Sequence, residues 1–407
     1  MLHELRTRIP DRNIWVVYAT ILVLSVAYGL AIALTPIVLT ARHLPEHEIG
    51  LLASSFGLGL VACAVPAGRL IRRFSARWML VVCILGYAAM IGLFPFLEAY
   101  WQMALCRFLD GAFSVGAWVS CETLLLLRSL PEHKAYVTSR YALSTLIGYV
   151  VGPVLAWLLA AHLSAAHTFV LAAVIASLSA GIAAAQLDPD PPAARGEEGG
   201  EGPVRATGEL AWRIKTSALA TFMTGFFQSA AVLFLATYLE REKHVAADDT
   251  RLVVAFAAGG SLLLLGTAGR LADRHGHLLV MRSLAGAGVV AMLGVIGAEG
   301  FLPIALLILI GGGALLSVPP IALALQGVIA RPTEYTRTNG IFNVFFSSGL
   351  LLGPLVTGYL RDQGGDGIIY LFAGLWASFV VFSLVFRTDD PREQPPAAAP
   401  RLRESTP

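Results

Sequence analysis

Along most of the chain, apolar positions neither alternate nor recur as a stripe; they run on continuously. Twelve such blocks can be marked, at roughly 14–39, 49–69, 78–97, 100–127, 137–161, 166–187, 213–239, 251–271, 278–298, 301–329, 335–360 and 367–386. Each is close to the ~20 residues a helix needs to cross the hydrocarbon of a bilayer. Unbroken apolar runs do not suit barrel strands, which alternate. In lipid the backbone must satisfy its own hydrogen bonds, so the pattern predicts twelve transmembrane helices and an all-α integral membrane protein.

Composition strengthens this reading. Hydrophobic residues make up 56% of the 407 residues and charged residues only 14%, where a soluble globule carries about a quarter. The net charge of +2 gives no footprint for nucleic acid, and none is expected as a partner. The four cysteines, Cys63, Cys83, Cys106 and Cys121, all fall in apolar blocks without a C-x-x-C pair and read as small buried hydrophobes.

Charge sets orientation. Of the 29 Lys and Arg residues, 23 fall on one side of the blocks and five on the other, with Arg107 inside a span. The positive-inside rule puts both termini in the cytoplasm, at the inner membrane of the cell. One connection stands apart. Residues 187–210, LDPDPPAARGEEGGEGPVRATGEL, are rich in Pro, Gly and Glu and read as a flexible linker. The chain then divides into a six-helix bundle at 1–187, a cytoplasmic linker at 188–212, a second bundle at 213–386 and a tail at 387–407, expected to be disordered.

The two halves repeat. GRLIRRFS at 68–75 and GRLADRHG at 269–276 are offset by 201 residues, as are Gly148 and Gly349, Gly152 and Gly353, and Pro153 and Pro354. A constant offset over several motifs predicts two pseudo-symmetric bundles related by an axis along the membrane normal. In both copies the small residues of G-x-x-x-G-P are expected to let helices approach closely.

These residues resemble the major facilitator superfamily, over essentially the whole chain. The loop motif of that family is similar to Gly269, Leu271, Asp273, Arg274 and Gly276, with Arg270 between them; the first copy keeps Gly68, Arg69, Arg73 and Arg77 but has Arg72 where the acid belongs. The resemblance implies a gate: Asp273 would face the start of span 5 at a helix N-terminus, and Arg72 would leave the matching latch at span 11 weaker. It implies a monomeric secondary transporter without cofactor, two bundles rocking about a midplane cavity that takes a small-molecule substrate. Gly148, Gly152 and Pro153 resemble a motif that leans towards antiport and export.

Span 4 carries the candidate chemistry: Arg107, Asp110 and Glu122 lie within ALCRFLDGAFSVGAWVSCETLLLLRS. Intramembrane charges are expensive and mark function or structural pairing. Arg107 and Asp110, three apart, share a helix face. Arg107-x-x-x-Gly111 resembles a family motif tied to proton coupling, and Asp110, in place of the usual Gln, is expected to carry the proton with Arg107 tuning it; a permanent structural pair is the alternative. Glu122 is expected to pair with the Arg69–Arg77 cluster and serve the gate. Tyr28, Ser114, Trp118, Gln228 and Asn343 are candidate cavity residues, or else hydrogen-bonding glue between helices. Pro319-Pro320 is expected to break span 10. His43, Glu46, His47 and Glu48 fall in a short outer loop, where no metal site is expected, and His275 and His277 are read as solvated. No P-loop, G-x-S-x-G or H-E-x-x-H occurs, so neither an enzyme nor an ATP-driven pump is expected. Proton-coupled efflux of amphipathic compounds leads; import of a polar solute or lipid flipping on the same architecture are the rivals.

Overall fold

The computed structural model describes residues 11–129, 134–189, 204–330 and 334–393. Among these the secondary structure is helical throughout, without strands. The first half holds α1 (Arg12–Thr40), α2 (Glu46–Arg73), α3 (Ala76–Leu93), α4 (Tyr100–Arg128), α5 (Lys134–Leu159) and α6 (Ala165–Gln186), spans 1 to 6. A short helix, α7 (Val204–Arg213), precedes span 7, which is α8 (Lys215–Ala230), a π-helical turn at Ala231–Leu235 and α9 (Ala236–Glu242). After α10 (Ala247–Thr250) come α11 (Val253–His275), α12 (His277–Gly297), α13 (Phe301–Leu316) and α14 (Val318–Ile329), α15 (Tyr335–Asp362) and α16 (Gly367–Val385), spans 8 to 12.

By length and hydropathy, eleven candidate spans stand among the described residues. The twelfth helix, α4, is 29 residues long and is diluted by Arg107, Asp110 and Glu122. Large apolar side chains such as Leu263, Val290, Leu302 and Val385 point outward and are mostly exposed, the surface a hydrocarbon solvent requires.

Each half packs in the same way. Span 1 packs on span 5 and span 2 on span 4; span 7 packs on span 11 and span 8 on span 10. The repeat holds down to single contacts. A Cβ on Gly59 would strike the Phe108 carbonyl, and one on Gly260 the Leu309 carbonyl; both partners of each pair are 201 residues apart. Gly111 against Phe56 and Gly312 against Ala257 repeat at the same offset. Gly148 and Gly152 pack on Ser25, Val26 and Gly29 of span 1, as Gly349 and Gly353 pack on Phe222, Phe226 and Ser229 of span 7. Pro153 and Pro354 sit inside helices that continue through them.

Two expectations need correction. The linker does not stay irregular up to residue 212: residues 204–213 form α7, whose Leu210, with Ile214 just beyond it, packs against Ala330 and Ile341. Four-residue spacing puts these two side chains on one buried face, while residues 190–203 lie outside the described structure. The tail is not free from Arg387 onward either. Asp389 pairs with Lys215 at 2.7 Å, fully buried Asp390 accepts the Leu278 N–H at 2.9 Å, and Glu393 meets Arg282 at 3.4 Å. Short-range pattern could not show this, because each partner is more than 100 residues away. Residues 394–407 are outside the described structure.

Candidate functional site

Between the bundles lies a cavity of about 1240 Å³, lined by spans 1 to 5 and 7 to 11. It is open at the linker end, where Gly208 and Ala211 of α7 and Gly340 of span 11 reach its wall. The polar bonds that cross between the bundles lie at the opposite end. Glu46 pairs with Arg241 at 2.5 Å, the Glu46 N–H donates to Asp362 at 2.8 Å, His47 meets Asp362 at 2.5 Å, and Arg251 donates to the Ala156 carbonyl at 3.3 Å. Glu46 and His47 were expected in a short outer loop. They are instead the first turn of span 2, started by Pro45, and they close the far face.

The chemistry of span 4 sits in this wall. Arg107 Nη1 donates to Asp110 Oδ2 at 2.6 Å, on a carboxylate only 3% exposed. The guanidinium is held over the rings of Phe56 at 4.8 Å and Phe94 at 5.9 Å, so stacking fixes it as well as charge. Ser114 Oγ donates to Asp110 Oδ1 at 3.3 Å, and the Tyr28 hydroxyl donates to Ser114 at 2.7 Å. The relay Tyr28–Ser114–Asp110–Arg107 therefore links span 1 to span 4. Spacing placed Ser114 four residues from Asp110 on one face; the bond to Tyr28, 86 residues away, had no local signal. Tyr28 stacks on Tyr87 at 4.1 Å and lies 6.0 Å from Trp118, so the cavity is aromatic beside the ion pair.

Tyr28, Trp118, Gln228 and Asn343 line the cavity. Ser114 does not: it is fully buried behind the wall. Of the span 7 aromatics, Phe227 lines the cavity, whereas Phe226 and Phe234 are buried in helix packing. Pro319 and Pro320 line it too, and span 10 breaks just before them at Ser317. Proline at the first turn of a new helix loses no bond. The π-helical turn at Ala231–Leu235 was missed. It contributes Ala231, Val232, Leu233 and Leu235 to the wall, and such bulges gather at functional sites. No Gly or Pro marks it.

The residues expected to form the gate are mostly solvent-exposed in this conformation. Asp273 is 76% exposed at its side chain, with His277 3.8 Å away. Arg69, Arg73 and Arg270 are exposed, as is Arg274, beside half-buried Gly68 and Gly269. Arg77 donates to the Ala184 carbonyl at 2.5 Å and lies over Trp78, so it is turned to span 6. The Arg72 side chain is outside the described structure. Glu122 departs from its expected role. It lines the cavity, and no arginine of the 69–77 cluster bonds to it among the described residues. It points across the cavity wall rather than down to the loop, because Trp118 and Val119, one turn earlier, face the same way.

This arrangement of two repeated six-helix bundles about a central cavity is that of a membrane transporter, not an enzyme. The chain belongs to the Major Facilitator Superfamily, which it matches over residues 16–218 and 217–406. It is 24% identical to an uncharacterized MFS-type transporter of Yersinia pseudotuberculosis, over 95% of this chain and 99% of that protein. Among solved structures it resembles a bacterial homologue of the human lysosomal transporter Spinster in an inward-facing and occupied conformation, at TM-score 0.72 and 14% identity, covering 94% of this chain and 98% of that one. A nucleoside transporter, NupG, gives TM-score 0.72 at 15% identity, covering 91% and 98%. These likenesses establish a multi-pass membrane transporter and its fold.

Proposed function

We propose that this protein exports small amphipathic organic compounds in exchange for protons, by alternating access, in the inner membrane with both termini cytoplasmic. The observation that carries the reading is the Arg107–Asp110 pair, set in the wall of a large, mostly apolar cavity open on the basic, linker-bearing side. An ion pair so placed is costly to desolvate and is justified by use rather than by stability. When the bundles rock, a shift of Phe56 or Phe94 would carry Arg107 off Asp110. The carboxylate would then be an uncompensated charge, and a proton is the smallest ion that removes it. Reopening restores Arg107 and expels the proton. The apolar and aromatic wall favours an amphipath over a sugar-like solute, whose hydroxyls would go unpaired.

The test uses cells expressing the protein, its Asp110→Asn variant, or neither, loaded with ethidium or the neutral dye Nile red, with and without a protonophore. Lower accumulation of either dye, abolished by Asp110→Asn and by the protonophore, is the expected result. Equal accumulation of both dyes in all three cell types would overturn the reading; export that survives Asp110→Asn with unchanged pH dependence would leave Arg107–Asp110 a structural pair.

A further inference from the structure

We infer that Glu122 is the anchor for a positively charged substrate, so that the cavity selects monovalent organic cations with an aromatic or otherwise apolar body. The inference rests on the transport reading above and specifies what that cavity takes.

Among the described residues, the charged ones lining the cavity are Arg107, Asp110 and Glu122. Arg107 and Asp110 neutralise each other at 2.6 Å, and Ser114 occupies the second Asp110 oxygen. That leaves the wall with one unmatched negative charge. Among the described residues Glu122 has neither an ion-pair nor a hydrogen-bond partner. The basic groups nearest in sequence logic are committed elsewhere: Arg77 to Ala184 and Trp78, Arg128 to the backbone of Asp188 and Pro189. The described residues of the opposite bundle that line the wall are all neutral, among them Thr224, Gln228, Ser229, Ser261, Asn343 and the ring of Phe227.

A carboxylate in an apolar cavity without a counter-ion is destabilising by several kcal/mol. A ligand that brings the positive charge removes that cost, and binds where it does so. Trp118, one turn before Glu122, and Tyr141 on span 5 also line the wall, and aromatic faces attract cations that are shielded from water. Glu122 lies twelve residues from Asp110, about 18 Å along the helix and towards the open mouth. The cation therefore meets Glu122 first and leaves the Arg107–Asp110 pair intact until the bundles move. Among the described residues of the wall, a multivalent cation finds no second unpaired carboxylate and an anion no free guanidinium.

The experiment is equilibrium binding of radiolabelled tetraphenylphosphonium to the purified full-length protein in detergent, with tetraphenylborate, an anion of nearly the same shape, as competitor. The expected result is saturable binding that tetraphenylborate does not displace, weakened tenfold or more by Glu122→Gln and recovered at least in part by Glu122→Asp. Equal affinity in wild type and Glu122→Gln would overturn the inference, as would displacement by tetraphenylborate or no binding to the wild type. If Glu122→Gln does not fold, the phosphonium–borate contrast and the Glu122→Asp variant still decide. Equilibrium binding needs no gradient and no direction. Export of Nile red without phosphonium binding would sink only the cation assignment; phosphonium binding lost in Glu122→Gln, without proton-dependent export, would sink only the coupling.

Discussion

Two seams join the bundles, and pseudo-symmetry makes them equivalents: span 2 against span 11, and span 8 against span 5. They are built differently. At the first, helix backbones touch. A Cβ on Gly57 would lie 2.7 Å from Leu351 Cα, one on Gly358 2.7 Å from the Glu46 carbonyl, and one on Gly50 would strike the Pro354 carbonyl. Across the repeat the corresponding positions are Ala258, Trp157 and Arg251, none of them a glycine. The first seam also carries His47–Asp362 and the Glu46 N–H to Asp362, with Glu46–Arg241 reaching span 7 beside it, while the second has, among the described residues, one bond from Arg251 to a carbonyl. One repeated scaffold thus yields a tight hinge on one side and a looser contact on the other. The far face is held closed mainly by the glycine seam.

The largest expected effect follows from filling that seam. Gly57→Leu forces a side chain into backbone contact, at about 1–3 kcal/mol for overpacking, which is about 5- to 150-fold in the ratio of closed to open far face. In a background with the four native cysteines replaced, a Thr35→Cys label site on the cavity wall should react correspondingly faster with an impermeant maleimide added from the far side. Unchanged labelling would mean that the glycines are packing filler rather than the hinge. A smaller effect is expected of Asp362→Ala, which removes two cross-seam acceptors. Both are partly solvent-exposed, so labelling should rise about threefold, near 0.5–1 kcal/mol. The smallest is expected at the other seam: Arg251→Ala should change labelling less than about twofold, because its 3.3 Å bond is long. If Arg251→Ala exceeds Asp362→Ala, the asymmetry argued here is reversed.

Much of the scaffold was legible because its signals are local and repeated. Twelve apolar runs, a constant offset and a proline pair before a helix need no knowledge of neighbours. The Arg107–Asp110 pair was legible for the same reason: i, i+3 spacing on a helix fixes proximity. Glu122 was not. Its sequence context, close to a basic loop, suggested a partner that the folded chain directs elsewhere. Glu46 and His47 read as part of a short outer loop because their partners, Arg241 and Asp362, lie about 195 and 315 residues away. The docked segment 387–393 and the π-helical turn carry no composition signal at all.

The sequence alone determined that the chain is helical, that it spans a membrane and that its halves repeat, since continuous apolarity and a fixed offset are properties of the chain itself. Only the tertiary structure decided which end of the cavity is closed, which of two equivalent seams is tight, and which carboxylate finds no counter-ion among the described residues. These depend on distances between residues far apart in the chain, and nothing in a one-dimensional pattern records where a side chain's charge is finally met.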